Sequence, residues 1–359
     1  MEAFMTFRAA TCLSPVSDPF GLSQDPAMPY IAGALDPADV QREFSAELTH
    51  LVGDKGAMTV RAITVLRHKP GRRCVIEYDV ELARPPQQPA SLELIGKVRT
   101  RHSPVRGVRL LQSLRNLGFS SPSHDGILVP EPIGVIQKYR MAVQQKVPGK
   151  MLTELLTTPS AEPLVRRVAE AAHKLHHAGV QTDKTHTMSD ELDMLRDRLT
   201  LVACAEKRWA QRLEHLLTEC THLASTVRNP IPRGIHRDFY ADQVLVDRDQ
   251  LYLIDFDLYC VGDPALDIGN FIGHITEFSL RTFGDPSALV SLEQALEERF
   301  VELAGADVRA AVRVYATLTL ARHIYLSTLF EDRRPLTETI LELCEDRLQA
   351  RQRHSVYVS

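Results

Sequence analysis

The sequence predicts an α+β fold with a small strand-rich N-terminal part and a larger helix-rich C-terminal part. Three observations lead to this prediction. Between residues 57 and 147, β-branched and partly alternating stretches are separated by Pro and Gly. Beyond residue 150, most long segments carry apolar residues at helical spacing. At residues 230–271 the helical part is interrupted by a pattern of strands and turns.

The composition is that of a globular protein without a general attraction to polyanions. The chain has 359 residues, of which 44% are hydrophobic and 25% charged, and a formal net charge of −4. We therefore expect no nucleic-acid partner and no membrane partner, and the oligomeric state is left open. No apolar run approaches the ~20 residues of a membrane span, and the N-terminus lacks the pattern of a signal peptide. Six scattered cysteines without a CxxC pair indicate reduced thiols and a cytoplasmic location.

Capping and turn residues place the individual elements. The first thirty residues, rich in Pro, Ser and Asp, are expected to form an extended lead-in. Asp36 and Pro37 predict the start of a helix, and Pro70-Gly71 predicts the turn of a β-hairpin. Further strands are predicted at 92–100, at two places before Pro148-Gly149, at 243–247 and at 251–257; further helices are predicted at about 104–117, 161–178, 190–225 and 288–350.

The chemistry of the sequence is concentrated in "GIHRDFYADQVLV", residues 234–246, and "LYLIDFD", residues 251–257. A tight hairpin returns Asp255 toward Gln243, so a carboxylate and an amide oxygen can converge on one hard cation. Mg²⁺ prefers such oxygen ligands and commonly takes only one or two carboxylates. Asp238 then stands near the ion, where a base for an attacking hydroxyl is needed. The alternative is that these acids cap turns, a common role for a single Asp.

Together with "GDPALDIGNF", residues 262–271, these stretches resemble the aminoglycoside phosphotransferase and choline kinase-like superfamily. The resemblance is specific in residues 234–271. The stretches "VLRHKPGRRCVIEY", "IGKVRT", "QQKVPG" and "AEAAHKLHHAG" follow in the order expected for that superfamily. It implies a bilobal protein-kinase-like fold, with an N-lobe at 1–143, a connector at 144–149 and a helical C-lobe at 150–359.

The resemblance also implies roles for individual residues. Asp238 is expected to be the catalytic base, and Gln243 and Asp255 are expected to hold Mg²⁺. Lys97 would reach the nucleotide phosphates. ATP would lie between the lobes near the connector, on the backbone groups of Gln145 and Val147.

Two further residues receive supporting roles from the resemblance. His236 would brace the catalytic loop without binding metal, and Asp267 would bind the backbone of that loop. Asp257 is interpreted as a solvated neighbour of the metal site, with a third metal ligand as the alternative. Arg322 and His323 lie on a late helix that could border the acceptor site, although core packing also explains that segment.

The sequence departs from the kinase pattern in three places. It has no GxGxxG motif, and "KPGRR" at 69–73 is the one loop available over the phosphates. The predicted helix at 104–117 contains no acid to pair with Lys97, where kinase folds usually supply a glutamate. Gln112, Glu43 and Glu47 are the candidate substitutes. Gln243 itself stands where a shorter amide is expected.

The resulting expectation is an ATP- and Mg²⁺-dependent phosphotransferase acting on a hydroxyl of a small metabolite or an aminoglycoside-like acceptor. A pseudokinase, which would bind nucleotide without turnover, is the alternative favoured by Gln243 and the missing glutamate. A protein kinase is opposed by the short distance from Asp255 to "GDPALDIGNF", which leaves no room for a long activation loop.

Overall fold

The computed structural model describes residues 15–100, 103–228 and 230–356, with side chains up to 350. The strands are β1 Val16–Ser17, β2 Ala57–Lys69, β3 Arg73–Ala83, β4 Ala90–Arg99, β5 Ile127–Leu128, β6 Pro132–Ile136, β7 Met141–Gln145, β8 Lys150–Met151, β9 Arg233–Ile235, β10 Val244–Asp247, β11 Gln250–Leu253 and β12 Cys260–Gly262. The helices are α1 Pro37–Glu47, α2 Pro104–Asn116, α3 Leu152–Leu155, α4 Ala161–His177, α5 Met188–Ala205, α6 Ala210–Ala224, α7 Pro264–Phe283, α8 Val290–Ala304, α9 Val308–Thr328 and α10 Thr337–Val356.

The chain divides into two compact units. The first runs to Ser120 and includes Val129–Val147, and the second comprises Ser121–Leu128 and the chain from Pro148 onward. The first unit contains the larger sheet and the second contains most of the helices. The predicted α+β class is therefore confirmed. None of the helices in the described part of the chain is long and apolar enough to cross a bilayer.

The first unit is built on a six-stranded sheet with the order β1-β2-β3-β4-β7-β6. The predicted hairpin is present, because β2 and β3 pair in antiparallel fashion from Ala57 opposite Ala83 to Lys69 opposite Arg73. The predicted helix is also present: the Asp36 carboxylate accepts a hydrogen bond from the Asp39 N–H at 2.9 Å and caps α1.

The segment before α1 differs from the expected extended lead-in. Residues Leu22–Gln24 and Pro29–Leu35 form 3₁₀ helices, and Leu22 and Met28 are completely buried in the core of the first unit. The turn begins at Asp18, whose carboxylate accepts a hydrogen bond from the Leu22 N–H at 2.9 Å. The same Pro and Asp residues that suggested an open chain here make turns that carry apolar residues inward. Residues 1–14 lie outside the described part.

The second unit carries a four-stranded sheet, β5-β11-β10-β8, and the short pair β12-β9. The predicted hairpin is β10–β11, paired from Val244 opposite Leu253 to Asp247 opposite Gln250. The strand-and-turn region ends earlier than residue 271, because α7 already begins at Pro264. Asp263 caps this helix through the Ala265 N–H at 2.9 Å, and proline suits the first helical turn.

Helices α7 and α9 approach each other closely at two glycines of α7. A Cβ placed on Gly269 would meet the Tyr315 Cβ and would come within 2.7 Å of the Ala316 backbone nitrogen. A Cβ on Gly273 would come within 2.7 Å of the Thr319 Cβ. The backbones of α7 and α9 are therefore in close contact at these two positions.

We predict that Gly269→Ala destabilises the second unit, because the added methyl group meets backbone atoms that cannot move independently. Overpacking of this kind costs about 1–3 kcal/mol, which exceeds the ~1 kcal/mol that alanine gains over glycine in a helix. Denaturant unfolding followed by circular dichroism measures the change. Gly107→Ala in α2 is the matched control, since nothing lies within 4 Å of its Cβ position. Equal stability of both variants would contradict the tight contact.

Candidate functional site

The buried carboxylate of Asp267, on the first turn of α7, holds the loop that follows β9. Its Oδ2 accepts a hydrogen bond from the His236 N–H at 2.9 Å, and its Oδ1 accepts one from the Arg237 N–H at 2.7 Å. The Nε2 of His176 on α4 lies 2.8 Å from Oδ2. Asp267 is 0% exposed, and three polar partners offset the cost of burying its charge. The predicted role of Asp267 is confirmed, whereas His176 as its partner was missed.

The backbone on either side of the site adopts a conformation that side chains rarely favour. Arg237 has a φ of 71° and Asp255 has a φ of 61°, both in the left-handed region. Aspartate is among the residues that tolerate this region, but arginine is not enriched there. The hydrogen bond from the Arg237 N–H to Asp267 stabilises that turn, and Asp238 follows it directly. Such backbone conformations cluster at functional sites.

His236 connects this loop to the end of the β10–β11 hairpin. Its ring is completely buried, and its Nε2 lies 2.8 Å from the Ile254 carbonyl oxygen. The expected bracing role is therefore confirmed. Because Ile254 immediately precedes Asp255, this contact ties the position of Asp255 to the loop that carries Asp238.

The hairpin register places Gln243 and Asp255 at the same end. The Ile254 N–H donates to the Gln243 carbonyl oxygen at 3.0 Å, one residue before Asp255. Gln243 is 6% exposed, and its side-chain amide has no hydrogen-bond partner among the described residues. An amide and a carboxylate are oxygen donors that suit Mg²⁺. Within the described ranges, no three His, Cys, Asp or Glu side chains are grouped closely enough to hold a metal ion. A site made of one amide and one carboxylate would not count as such a group.

The carboxylate of Asp238 itself is half-buried. It has no hydrogen bond or ion pair to any residue in the described part of the chain. Asp238, Gln243 and Asp255 are thus brought to one loop cluster of the second unit, held by Asp267 and His236. The Asp238 carboxylate is therefore unengaged within the described residues, on a loop that the His236–Ile254 contact ties to the end of the hairpin.

The candidate nucleotide residues belong to the first unit. Lys97 lies in the middle of β4, opposite Val75 on one side and Ala142 on the other. Gln145 ends β7, and its N–H donates to the Glu131 carbonyl oxygen at 2.8 Å. Within the described part, the Val147 N–H has no hydrogen-bond acceptor and is available to a ligand.

Two of the three residues considered as partners of Lys97, Gln112 and Glu43, are engaged with other groups, and Glu47 is exposed at the end of α1. Gln112 donates from Nε2 to the Asn116 Oδ1 at 3.0 Å along α2. Glu43 forms an ion pair with Lys138 at 3.2 Å. The α2 helix itself contains no acid, which is a departure from the usual kinase arrangement.

A polar network that the sequence did not reveal extends from the loop to α9. Asn270 on α7 donates from Nδ2 to the Phe239 carbonyl oxygen at 2.9 Å, and its Oδ1 accepts from Arg322. The Arg322 Nη1 lies 3.8 Å from the Glu191 Oε2 on α5. The sequence pointed to Arg322 through its place in the late helical segment "LARHIYLS". No sequence pattern pointed to Asn270 or Glu191.

Two histidines line the same side of the loop and remain neutral. The Tyr240 ring stacks on His274 at a centroid distance of 4.4 Å, and His274 meets His323 edge-on at 4.5 Å. Burial, reinforced by the nearby arginines, lowers the pKa of His323 to about 3 and lowers the pKa of His274 well below its ordinary value. These rings therefore add no positive charge at neutral pH.

Comparisons with known proteins agree with this geometry. Residues 84–313 match the profile of the phosphotransferase enzyme family. No curated protein matches the chain at a significant level. A thermostable mutant of aminoglycoside phosphotransferase APH(4)-Ia is similar in structure, with a TM-score of 0.55 and 16% identity, covering 81% of this chain and 95% of that one.

Two other solved structures show the same fold. A choline/ethanolamine kinase family protein from Mesorhizobium loti has a TM-score of 0.53 at 13% identity, covering 86% of this chain and 93% of its own. The amicoumacin kinase hAmiN has a TM-score of 0.56 at 14% identity, covering 79% and 88% respectively. Because the family profile spans most of the chain and the site carries its loop and hairpin, the chain belongs to the phosphotransferase enzyme family and is a phosphotransferase with an alcohol group as acceptor.

Proposed function

We propose that the protein is an ATP- and Mg²⁺-dependent small-molecule kinase that transfers the γ-phosphoryl group to a hydroxyl of a small metabolite or an aminoglycoside-like acceptor. The observation that carries this proposal is the half-buried, unpartnered Asp238 carboxylate on a loop fixed by Asp267. A cytoplasmic location remains a prediction, in keeping with the five described cysteines, all of which are free thiols.

Asp238 would accept the proton of the acceptor hydroxyl as its oxygen attacks the γ-phosphorus. The bond that forms joins the acceptor oxygen to phosphorus, and the bond that breaks is the one to the β-phosphate oxygen, so ADP leaves. Catalysis of this reaction is mainly positioning and charge stabilisation. A base held by a rigid loop meets the first of these requirements.

Gln243 and Asp255 fit a magnesium site by the chemistry of their donors. The Gln243 amide oxygen is neutral and largely buried, and the adjacent Asp255 adds one negative charge. Bound there, Mg²⁺ would neutralise charge on the nucleotide phosphates. The longer stem of Gln243 adds one methylene, about 1.5 Å of reach relative to asparagine, so it can serve as a ligand either directly or through a water.

Lys97 and the connector backbone would bind the nucleotide. The Lys97 ammonium would contact phosphate oxygens, and the Val147 N–H would donate to the adenine ring. The Gln145 N–H is already used within the sheet, so its carbonyl oxygen is the group available for the base. Structures similar to this chain contain ADP with spectinomycin, AMP-PNP with hygromycin B, and AMP-PNP with Ca²⁺, which supports a nucleotide and a divalent ion here.

The direct test is Mg²⁺-dependent ADP formation from ATP with a panel of small alcohols, sugars and aminoglycosides. Turnover with a hydroxyl acceptor, lost on chelation of the metal, would support the kinase. Mg²⁺-independent nucleotide binding without turnover on any acceptor would favour the pseudokinase alternative, for which the absence of an acid in α2 is the structural argument.

Asp238→Asn is predicted to slow phosphoryl transfer by about 10²–10⁴-fold, because a general base is lost. Folding and nucleotide affinity should change little, since the described residues make no hydrogen bond to this carboxylate. Single-turnover kinetics with saturating ATP measures the chemical step. Asp249→Asn, in the exposed turn between β10 and β11, is the control and should retain full activity. Unchanged chemistry in Asp238→Asn would exclude Asp238 as the base.

Lys97→Met is predicted to lower turnover by about 10²-fold, because a fixed positive charge near the phosphates is removed. Steady-state kinetics and calorimetric titration with ATP measure this effect. Lys138→Met, which removes an exposed lysine paired with Asp39, is the control. If both variants behave like the parent, the phosphate cation lies elsewhere, and Arg72 and Arg73 are the next residues to change.

Gln243→Leu is predicted to raise the Mg²⁺ concentration needed for half-maximal activity and to depress turnover, since the side chain keeps its size but loses its oxygen. Gln243→Asn should retain measurable activity. Titration of activity with Mg²⁺ at fixed ATP distinguishes the two. Identical metal dependence in the parent and Gln243→Leu would remove Gln243 from the metal site.

A further inference from the structure

Three arginines of the second unit, Arg198 on α5, Arg237 in the catalytic loop and Arg322 on α9, form what we call the arginine cluster. Two of them border the proposed base. Arg237 precedes Asp238 in the chain, and Arg322 is linked through Asn270 to the carbonyl of Phe239, the residue after Asp238. Arg198 lies over the ring of Tyr325, three residues after Arg322 on α9, so the cluster lies beside the loop that carries Asp238.

Two carboxylates lie near the cluster, those of Asp190 and Glu191, and both are engaged with other groups. The Asp190 Oδ2 accepts a hydrogen bond from the Thr187 N–H at 2.7 Å. Glu191 is 5% exposed, and its Oε1 lies 2.6 Å from the His186 Nε2. Burial alone would raise the pKa of Glu191, yet the His186 hydrogen bond and the charge of Arg322 hold it below its ordinary value. Glu191 is therefore an ionised carboxylate shared between His186 and Arg322, with its nearest Arg322 contact at 3.8 Å.

Arg198 and Arg237 have no such partner. Neither guanidinium has a carboxylate within ion-pair distance among the described residues. The Arg198 guanidinium lies over the ring of Tyr325, 5.8 Å from its centroid. Burial lowers the pKa of Arg198, and repulsion by Arg322 and Arg237 lowers it further, although Glu191 opposes the effect. Arginine stays charged in spite of such shifts. The repulsion of Arg198 by Arg322 and Arg237 therefore destabilises the folded protein.

We propose that the arginine cluster binds a negatively charged group of the acceptor, a carboxylate or a phosphate, so that the substrate is an anionic hydroxyl compound. The planar guanidinium matches both groups with paired hydrogen bonds. A polyamine would instead meet like charges, which disfavours it. This inference rests on the proposed function for the phosphoryl transfer itself, but the binding of the anion needs neither nucleotide nor turnover.

Anion binding tests the cluster independently of catalysis. We expect malonate, a dicarboxylate, or inorganic sulfate, a tetrahedral dianion, to bind in calorimetric titrations of the full chain at constant ionic strength. Arg198→Gln should weaken that binding by roughly 10–100-fold, the effect of losing a charged hydrogen-bond donor. The anion affinity of Arg198→Lys should lie between those of the parent protein and Arg198→Gln, because lysine keeps the charge but cannot form the paired hydrogen bonds. The ratio of malonate to sulfate affinity distinguishes a carboxylate site from a phosphate site.

The matched control is Arg196→Gln, two residues away on the same helix. Arg196 is exposed and pairs with Asp193 at 2.6 Å, so its loss should leave anion affinity unchanged. Asp238→Asn should also retain anion binding, whatever its turnover. Absence of binding by both anions, or equal weakening in the Arg196 and Arg198 variants, would overturn the proposal while leaving the proposed kinase activity untouched.

Turnover provides the second test. We expect at least about tenfold higher kcat/KM for gluconate or glucose 6-phosphate than for glucose or glucosamine, with the preference reduced in Arg198→Gln. A preference for glucosamine over the anionic compounds would overturn the inference, again without affecting the proposed phosphoryl transfer.

Discussion

The hydrogen bonds of the Asp267 carboxylate are the interaction on which the rest of the site depends. One buried carboxylate joins α7 to two consecutive amides of the catalytic loop and to a histidine of α4. The bond to Arg237 stabilises a left-handed turn, and that turn sets the direction of Asp238. A buried charge with all its partners adds little to the net free energy of folding. Removing one of those partners destabilises the protein strongly, because the charge is left buried without compensation. The loop that carries the chemistry is therefore supported by the helical core.

The elements that follow from local signals could be predicted from the sequence. Asp36 before Pro37 marked α1, and the apolar strands on either side of a polar turn marked β10 and β11. The convergence of Gln243 and Asp255 followed from that hairpin. The lead-in could not be predicted, because Pro and Asp make both open chain and 3₁₀ turns, and only the burial of Leu22 and Met28 decides between them.

The contacts among α5, α7 and α9 beside the loop were the least predictable part of the candidate site. Glu191 and Arg322 are far apart in the sequence, and a helical pattern shows which face of a helix is apolar but not which distant side chain it meets. The charge of Arg322 acts against that of Arg198, although burial is the larger reason that the pKa of Arg198 is lowered. Proteins retain locally destabilising arrangements where function requires them. A group of like charges is therefore better explained by a binding site than by a contribution to stability.

The glycines of α7 have a consequence for how this enzyme can change its substrate. Because the backbones of α7 and α9 touch at Gly269 and Gly273, any larger residue at either position would push the two helices apart. The same helix α7 holds the loop through Asp267 and Asn270, so these glycines also constrain how near α9 lies to that loop. If α9 borders the acceptor, as we propose, a change of acceptor preference is expected to come from exchanging side chains on α9, such as Arg322, while Gly269 and Gly273 are kept.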